Sequence, residues 1–320
     1  MRGLFFRFEV GLIFFISFLS SGVIWTFPFE LFTHFRVQLF LFGVYLLLKG
    51  FLIGEIQIWS KDTVKKIQTG IVVSLVWYNF SANYIVSFFD DGESLSIDRR
   101  LRIATANLLT ENQNKDSAIS DIEKINPDIL GIVEVDDKWK DKFEELKELY
   151  PYQHIMPSND NFGVGILSKE KILEVKILEF GKMGRPNILA TIDGSRFGFE
   201  KPLDVVVAHP FPPMSSFNSN ERNIHLKGLD KIINDIRSRL VILGDMNCTP
   251  WSPRFFRNRY YSMPFDNLGI KLTWPSFLPS LLRIPIDHII TSKDLIHARY
   301  KTFNISGSDH LGLYLDIKIK

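Results

Sequence analysis

Three apolar runs near the start of the chain constrain its fold more than any other feature. Residues 10–29 carry no charge, and a helix of that length crosses a hydrocarbon core about 30 Å thick at about 1.5 Å per residue. Residues 37–54 are apolar except for Lys49, whose long side chain can carry its ammonium to the headgroups. Residues 67–89 are uncharged but contain several polar residues. The sequence therefore predicts three transmembrane spans and a lipid bilayer as a partner.

A cleavable signal peptide is the alternative interpretation of the first run, because Arg2 and Arg7 precede it. No small-x-small cleavage site follows cleanly, and two further apolar runs come after it. A buried hairpin of globular helices fits less well, because these stretches show no polar stripe. We therefore prefer transmembrane helices.

The basic residues near the spans predict the orientation of the chain. Arg2 and Arg7 come before the first span, and three lysines lie at 61–66, between the second and the third. If these residues are cytoplasmic, the part after the third span lies outside the cytoplasm. Three arginines at 99–102 follow that span and oppose this placement.

The pattern changes at about Arg100 to short apolar runs separated by turn residues and amphipathic helices, as in a mixed α/β domain. The predicted strands are 101–108, 129–135, 203–208, 240–243, 286–290 and 311–317. The predicted helices are 116–126, which Pro127 ends, and 220–237. We divide the chain into a transmembrane region, 1–92, and a second domain, 99–320.

Charge and cysteine content exclude several classes of protein. The 38 basic and 36 acidic residues give a net charge of +2, so tight nonspecific adhesion to nucleic acid is not expected from charge. The only cysteine, Cys248, cannot form an intramolecular disulfide and has no partners for a structural zinc site.

Polar residues that can bind metal or move protons stand at the ends of the predicted strands. Those at strand exits are Asn107, Glu134, His209, Asp245 and Asn247. Those at strand entrances are Asp287, Asp309 and His310. If the two kinds of strand run antiparallel, all of these residues meet on one rim.

Four carboxylates on such a rim repel one another unless a cation lies between them. Carboxylate and amide oxygens without thiolates suit Mg²⁺, Mn²⁺ or Ca²⁺ better than zinc. Two histidines beside that ion supply protonatable donors to a phosphoryl oxygen, and Asp245 can deprotonate an attacking water.

Each motif taken alone also has an ordinary structural explanation. Asn107 suits a turn or cap, Gly244 to Asn247 suits a tight turn, and Asp287 with His288 suits a surface pair. Glu134 and His209 likewise suit strand ends. The joint order of the motifs along the chain favours a functional site.

These motifs, in this order, resemble the motif set of the endonuclease/exonuclease/phosphatase superfamily, which has a deoxyribonuclease I-like fold. The resemblance covers about Arg100 to Lys320 and includes Gly163-Val-Gly-Ile-Leu-Ser168, which is similar to the mid-domain strand of the family. Three spans before such a domain, and Thr273-Trp274-Pro275 ahead of Arg283 to His288, are most similar to its bacterial membrane-tethered branch.

The resemblance implies a four-layer α-β-β-α sandwich after an all-α transmembrane region. It also implies a site for Mg²⁺, with Mn²⁺ as an alternative. The metal ligands would be Glu134, assisted by Asn107 and Asp309. The catalytic residues would be Asp245, which positions and deprotonates water, Asn247, which orients the phosphate, and His209, His310 and Asp287, the last holding His310.

By this resemblance the chain hydrolyses a phosphodiester of nucleic acid or of a phospholipid headgroup by in-line attack of water. A phosphomonoesterase and a non-catalytic membrane binding or scaffold protein are the alternatives. The missing basic tract weakens the nuclease interpretation, and the prolines after His209 can reshape the substrate wall. Arg222 is a candidate phosphate contact, although a solvated helix charge is the preferred explanation. We expect an integral protein of a bacterial inner membrane with an extracytoplasmic catalytic domain, and predict no protein partner.

Overall fold

The structure, a computed structural model, describes residues 2–21, 26–57, 61–82, 100–235, 239–255, 261–264 and 268–318. The chain forms two compact units. The helical unit comprises Met1–Tyr84 and Thr249–Pro253, and the α/β unit comprises Ile85–Cys248 and Arg254–Lys320. The predicted domain boundary, between residues 92 and 99, lies outside the described residues.

The helical unit contains α1 (Arg2–Leu19), a 3-10 helix (Phe29–Phe35), α2 (Arg36–Leu52) and α3 (Thr63–Ala82). Among the described residues, one helix is long and apolar enough to cross a membrane. It covers Phe29–Leu52 and so consists of the 3-10 helix and α2 together. Three such helices were expected. Helix α1 begins before the predicted first span and includes Arg2, Arg7 and Glu9, while α3 includes two lysines and several polar residues. Residues 22–25 and 83–89 of the predicted spans lie outside the described residues.

Polar contacts as well as apolar packing join these helices. Lys49 was expected to reach the headgroups, but its Nζ lies 2.6 Å from Oε2 of Glu9 on α1. Arg36 donates from Nη2 to the hydroxyl of Tyr78 at 2.7 Å. The buried apolar cluster of the unit is formed by Phe6, Val10, Ile13, Leu39, Leu46, Ile56, Val72 and Leu75.

The α/β unit alternates strands and helices along the chain. Its described strands are β1 (Arg100–Asn107), β2 (Ile129–Val133), β3 (Tyr152–Met156), β4 (Val164–Ser168), β5 (Ile172–Phe180), β6 (Arg185–Ile192), β7 (Leu203–Val207), β8 (Arg239–Asp245), β9 (Tyr261–Ser262), β10 (Asp287–Ser292), β11 (His297–Phe303) and β12 (Gly312–Lys318). Its described helices are α4 (Lys115–Ile125), α5 (Asp137–Glu144) and α6 (Ser216–Asp235), with short 3-10 turns at Ser195–Phe197 and Ser280–Leu282.

These strands form two six-stranded sheets. The first has the order β11-β12-β1-β2-β4-β3, and the second has the order β5-β6-β7-β8-β10-β9. Strands β1 and β2 are parallel, as are β7 and β8, whereas β12 is antiparallel to β1 and β10 is antiparallel to β8. Strand exits and strand entrances therefore meet at one edge of each sheet, which is the arrangement that the predicted rim requires.

The two sheets pack face to face, with β1 and β2 against β8 and β7. Gly131 of β2 lies at this interface, where an added Cβ would stand 1.8 Å from Cδ1 of Leu243. Helices α4 and α5 cover the outer face of the first sheet through Ile122 and Trp139, which share a buried cluster with Leu130. Helix α6 packs on β5 of the second sheet. The unit is thus a mixed α/β fold with two sheets between helical layers.

A fully buried carboxylate, Asp316, lies on β12 among three arginines. Arg102 donates to it from Nε at 2.6 Å and from Nη2 at 2.9 Å, and Arg100 donates at 3.3 Å. Nη1 of Arg299 lies 3.8 Å away. Arg100 and Arg102 had opposed the predicted membrane orientation, but the structure gives them a role in joining β1 to β12.

We predict that Asp316→Ala lowers the free energy of unfolding by about 3–5 kcal/mol, because it leaves the buried Arg102 without its carboxylate partner. Urea unfolding of the detergent-solubilised chain, followed by tryptophan fluorescence, measures the change. The control is Lys124→Ala, which removes an ion pair whose lysine is 73% exposed and should cost less than about 1 kcal/mol. Equal effects of the two substitutions would refute this explanation.

Candidate active site

The predicted rim is formed by strand ends from both sheets. Asn107 ends β1 and pairs in register with Val133, so Glu134 follows directly on the neighbouring strand. Asp245 ends β8 and lies opposite Asp287, the first residue of β10. The Nδ2 atom of Asn107 lies 2.8 Å from Oε1 of Glu134 and 3.3 Å from Oδ2 of Asp245. One amide therefore links the acidic residues of the two sheets.

His310 connects the two acids of the second sheet. Its Nδ1 lies 2.9 Å from Oδ2 of Asp287, and its Nε2 lies 3.7 Å from Oδ2 of Asp245. Its backbone N–H donates to Oγ of Ser308, whose hydroxyl donates to the carbonyl of Asn107. These contacts hold the imidazole of His310 with Nδ1 at Asp287 and Nε2 facing Asp245.

His209 faces the same oxygen of Asp245 as His310 does. It follows β7, is buried, and places Nε2 at 3.7 Å from Oδ2 of Asp245 and 3.9 Å from Oε1 of Glu134. The ring of Phe162 lies beside it, with 5.5 Å between the centroids. The Oδ2 atom of Asp245 thus lies 3.7 Å from an imidazole nitrogen of each of the two histidines.

Two residues of the turn after β8 have backbone conformations that few residue types adopt. Gly244 has φ 138°, and an added Cβ would stand 2.0 Å from the carbonyl oxygen of Ala208. Asn247 has φ 47° and donates its backbone N–H to Oδ1 of Asp245 at 2.8 Å. Its side-chain amide, which was expected to orient the phosphate, donates to the carbonyl of Pro210 at 3.0 Å.

Asp309 is placed differently from the other predicted metal ligands. Its Oδ2 accepts a hydrogen bond from Nε1 of Trp274 at 2.9 Å. Among the described residues, the acids and histidines whose ligand atoms lie within 4.8 Å of one another form two groups, Glu134 with His209 and Asp245, and Asp245 with Asp287 and His310. Asp309 belongs to neither group, although its charge acts on both Glu134 and His310.

Residues 104–310 match the Endonuclease/Exonuclease/phosphatase family model. The chain belongs to this family. Enzymes of the family hydrolyse phosphate ester bonds and depend on a divalent metal, and the chain is a hydrolase of this class. No curated protein sequence matches the chain.

Solved structures of the family have the same fold. A humanized D. rerio TDP2 with 14 mutations has a TM-score of 0.59 at 18% identity, covering 68% of this chain and 98% of that chain. An endonuclease/exonuclease/phosphatase from Beutenbergia cavernae has a TM-score of 0.55 at 16% identity, covering 69% and 72%. An AP endonuclease from Archaeoglobus fulgidus has a TM-score of 0.53 at 19% identity, covering 67% and 98%. At these identities the likeness shows the fold.

The titratable groups of the rim have pKa values that are shifted in different directions. Burial, together with the charge of Asp287, raises the pKa of Asp245 to about 8. Burial opposes the charged form of His310, but the charge and hydrogen bond of Asp287 outweigh it and raise the pKa of His310 to about 10. Burial and the charge of His310 lower the pKa of His209 to about 4. At neutral pH one imidazole is therefore protonated and the other is neutral.

A divalent cation fits this donor set. Burial raises the pKa of Glu134 and that of Asp245, so the ionised forms of both acids need a compensating positive charge. Oxygens of Glu134 and Asp245 and a nitrogen of His209 lie within 4.8 Å of one another. Oxygen-rich sites of this kind suit hard divalent ions, as the family requires.

Arg222 corrects an expectation from the sequence. The preferred explanation from the sequence, a solvated helix charge, is wrong because the side chain of Arg222 is fully buried. Its Nη1 donates to the carbonyl of Asn247 at 3.3 Å, so it supports the turn that carries Asn247. Helix α6 begins at Ser216, four residues before the predicted start, and this places Arg222 in an early turn of the helix.

We predict that Asp287→Asn lowers the pKa of His310 in the metal-free chain, because it removes the largest interaction that favours the imidazolium. In the wild type the folded pKa exceeds the unfolded value of about 6.5. The charged His310 therefore stabilises the fold below about pH 6.5, and this contribution is lost as the pH rises toward 10.

Nitrogen NMR of ¹⁵N-histidine-labelled chain with chelator measures this titration between pH 5 and 10, chosen to bracket the usual histidine value of about 6.5. His310 should stay protonated through pH 8 in the wild type and lose its proton at lower pH in Asp287→Asn. The matched control is Asp294→Asn in the turn after β10, which should leave His310 unchanged. An unaltered pKa in Asp287→Asn would contradict the assigned cause.

Proposed function

We propose that the chain is a membrane-anchored, Mg²⁺-dependent phosphodiesterase that hydrolyses its substrate by in-line attack of an activated water. The proposal rests on one observation, the convergence of Glu134, Asp245, His209 and His310 at the meeting edge of two sheets. Each of these residues comes from a different strand end. That arrangement supplies acid, base and cation-binding groups within one buried volume.

In this proposal Glu134 is the principal metal ligand, and Asn107 orients its carboxylate through the 2.8 Å hydrogen bond. Asp309 contributes to the ligand set through the oxygen that Trp274 does not hold. When bound, the divalent ion supplies Lewis-acid stabilisation of the charge that develops on the phosphoryl oxygens. The need of the buried acids for a compensating positive charge supports such an occupant.

Asp245 acts as the base in its carboxylate form, which burial disfavours and a bound divalent cation would favour. Its Oδ1 is held by the backbone N–H of Asn247, and its Oδ2 faces both histidines. A water placed at Oδ2 forms the new P–O bond while its proton passes to Asp245. The ester P–O bond opposite breaks with its electron pair on the leaving alkoxide, which takes a proton from solvent to become the alcohol.

The two histidines stabilise the phosphoryl group in different protonation states. His310 is held as an imidazolium by Asp287 and donates to a phosphoryl oxygen from Nε2, where it opposes developing negative charge. His209, neutral at pH 7, donates as an imidazole N–H. Asn247 orients the phosphate, which requires its amide to leave the carbonyl of Pro210.

Hydrolysis assays of the purified full chain test these roles. We expect Mg²⁺-dependent release from a panel of nucleic acids, phospholipids and inositol phosphates, and none with chelator. Asp245→Asn and His310→Gln should each lose roughly 10²-fold or more in rate, since general-base and charge-stabilising groups contribute on that scale.

The control is Asp294→Asn, which exchanges the same functional groups at the opposite end of β10 and should keep the wild-type rate. Release of inorganic phosphate from monoesters alone would favour the phosphomonoesterase alternative. Full activity in Asp245→Asn or His310→Gln would refute the assigned roles, and no hydrolysis of any member of the panel would favour a binding protein.

The anchoring part of the proposal is supported by the helix Phe29–Leu52 and by the two other apolar runs of the sequence. We place the chain in a bacterial inner membrane with the catalytic unit outside the cytoplasm. The engagement of Arg100 and Arg102 by Asp316 weakens their weight as cytoplasmic signals. The basic residues before the first run and at 61–66 then favour the exported orientation.

Reporter fusions after Lys320 test this placement. We expect an alkaline phosphatase fusion, which needs export, to be active and a β-galactosidase fusion to be inactive. The control is the same pair of fusions after Asp62, in the segment between the second and third apolar runs, which should show the opposite pattern. A cytoplasmic pattern for the fusion after Lys320 would overturn the orientation.

Two classes of phosphodiester are candidate substrates. A D. rerio TDP2 structure contains a single-stranded DNA product, which supports a phosphodiester of nucleic acid as one candidate. The near-neutral charge of this chain and its apolar N-terminal helix support a phosphate ester at a lipid surface as the other. We propose a phosphodiester and not a monoester in either case.

A further inference from the structure

Two loops of the α/β unit rise from the residues of the catalytic rim. The first, the 275–282 loop, follows Trp274 and precedes β10. The second, the 210–217 loop, follows His209 and includes the first two residues of α6. Each has a base fixed on catalytic residues and a tip that is apolar and exposed.

The 275–282 loop is tied to Asp309. Trp274 donates to the Asp309 carboxylate at 2.9 Å, and the backbone N–H of Ser276 donates to the Asp309 carbonyl at 2.7 Å. Arg283 closes the loop by donating to the carbonyls of Ser276 and Leu278 at 2.6 and 2.7 Å. The loop is therefore held in one shape, and Phe277 is 77% exposed and Leu282 51% exposed on it.

The 210–217 loop is tied to Asn247 and His209. The carbonyl of Pro210 accepts from the Asn247 amide, and Phe211 packs on Phe162 with 4.5 Å between ring centroids. Beyond this base, Met214 is 76% exposed and Phe217 is 49% exposed. The rim thus has apolar tips beside Asp309 and beside His209, on loops anchored at both sites.

The lack of charged residues distinguishes the two loop tips from an ordinary protein surface. Neither 210–217 nor 275–282 contains an acidic or basic residue. The neighbouring turn between β5 and β6 adds the exposed Lys182 and Met183, whose backbone N–H groups are fixed by Glu221 of α6. Single exposed apolar residues are common on soluble proteins, but uncharged clusters with a nearby cation fit an apolar layer beneath anionic headgroups.

We propose that these two loops dock into an anionic phospholipid surface, so that the catalytic rim opens onto the headgroup layer and acts on a phosphate ester of a lipid. The proposal deepens the phosphodiesterase assignment and rests on it for the substrate. The occupant is a bilayer because the chain also carries a helix long and apolar enough to cross one. Docking would bring the headgroup phosphate to His209 and His310 and leave the acyl chains among the loop tips.

Site-specific fluorescence tests the docking by itself. The only native cysteine, Cys248, is fully buried, so single cysteines introduced in a Cys248→Ala background can be labelled selectively with an NBD probe. Full-length Phe277→Cys and Met214→Cys chains are reconstituted in vesicles of phosphatidylglycerol and phosphatidylcholine. We expect a blue-shifted NBD emission and quenching by brominated acyl chains at both positions.

Leu173→Cys and Ile296→Cys are the matched controls. Both residues are 48% exposed. Leu173 is at the start of β5, and Ile296 is in the turn after β10, at the edge of the second sheet opposite the rim. Neither control should be quenched. Quenching at positions 277 and 214 no greater than at the two controls would overturn the proposal.

A rate comparison then tests the link to substrate. The double substitution Phe277→Ser and Leu282→Ser should lower hydrolysis of vesicle phospholipid by roughly tenfold and leave hydrolysis of soluble bis(p-nitrophenyl) phosphate unchanged. Equal loss on both substrates, or no loss on either, would overturn it. If the wild type hydrolyses neither substrate, the phosphodiesterase assignment fails, and the fluorescence result still decides whether the loops dock.

Discussion

Burial of several carboxylates at one edge of two packed sheets is the constraint on which the rest of the structure depends. Like charges held a few ångströms apart in a low dielectric repel strongly, so the fold must bring compensating groups to the same place. Asn107 donates to Glu134 and Asp245, and His310 lies between Asp245 and Asp287. Those contacts exist only because β1 runs parallel to β2 and β10 runs antiparallel to β8. The register of the sheets therefore determines which groups meet at the rim. A divalent cation would supply the positive charge that the ionised acids still require.

The sequence predicted the central strands well because both of their faces are buried. Strands β2 and β8 are continuous apolar runs, and each matched a predicted strand to within a few residues. Strand β4 was indicated only by its similarity to the mid-domain strand of the family. Strand β5 was not predicted, because it lies at a sheet edge with Glu174, Lys176 and Glu179 exposed and lacks a clean alternation. Helix α5 was also missed, because its eight residues are mostly charged and only two of them, Trp139 and Phe143, are apolar. The ion pair of Lys49 with Glu9 depends on two helices meeting, which no local pattern reports.

The residues of the candidate site could be predicted from the sequence, but the contacts of their side chains could not. Polar residues that end apolar runs identified Asn107, Glu134, His209 and Asp245, because the position of a strand end is local information. The partners of each side chain depend on tertiary contacts. Asp309 was grouped with the metal ligands, but the structure ties one of its oxygens to Trp274, which had been noted only as part of a motif. The sequence predicted a solvated Arg222 because the predicted helix starts at residue 220, four residues after the observed start at Ser216. The exposed loop tips could not be predicted, since a lone Phe or Met in a loop has no periodicity.

The central claim is that the acidic rim holds one divalent cation through Glu134. The most direct measurement is Mn²⁺ binding to the purified full chain, by electron paramagnetic resonance of the free ion, with Mg²⁺ as competitor. The account predicts one saturable site that Mg²⁺ displaces, which Glu134→Gln abolishes and which Glu174→Gln on the exposed edge strand leaves intact. Equal Mn²⁺ binding by the wild type and Glu134→Gln, or no saturable site in the wild type, would contradict it.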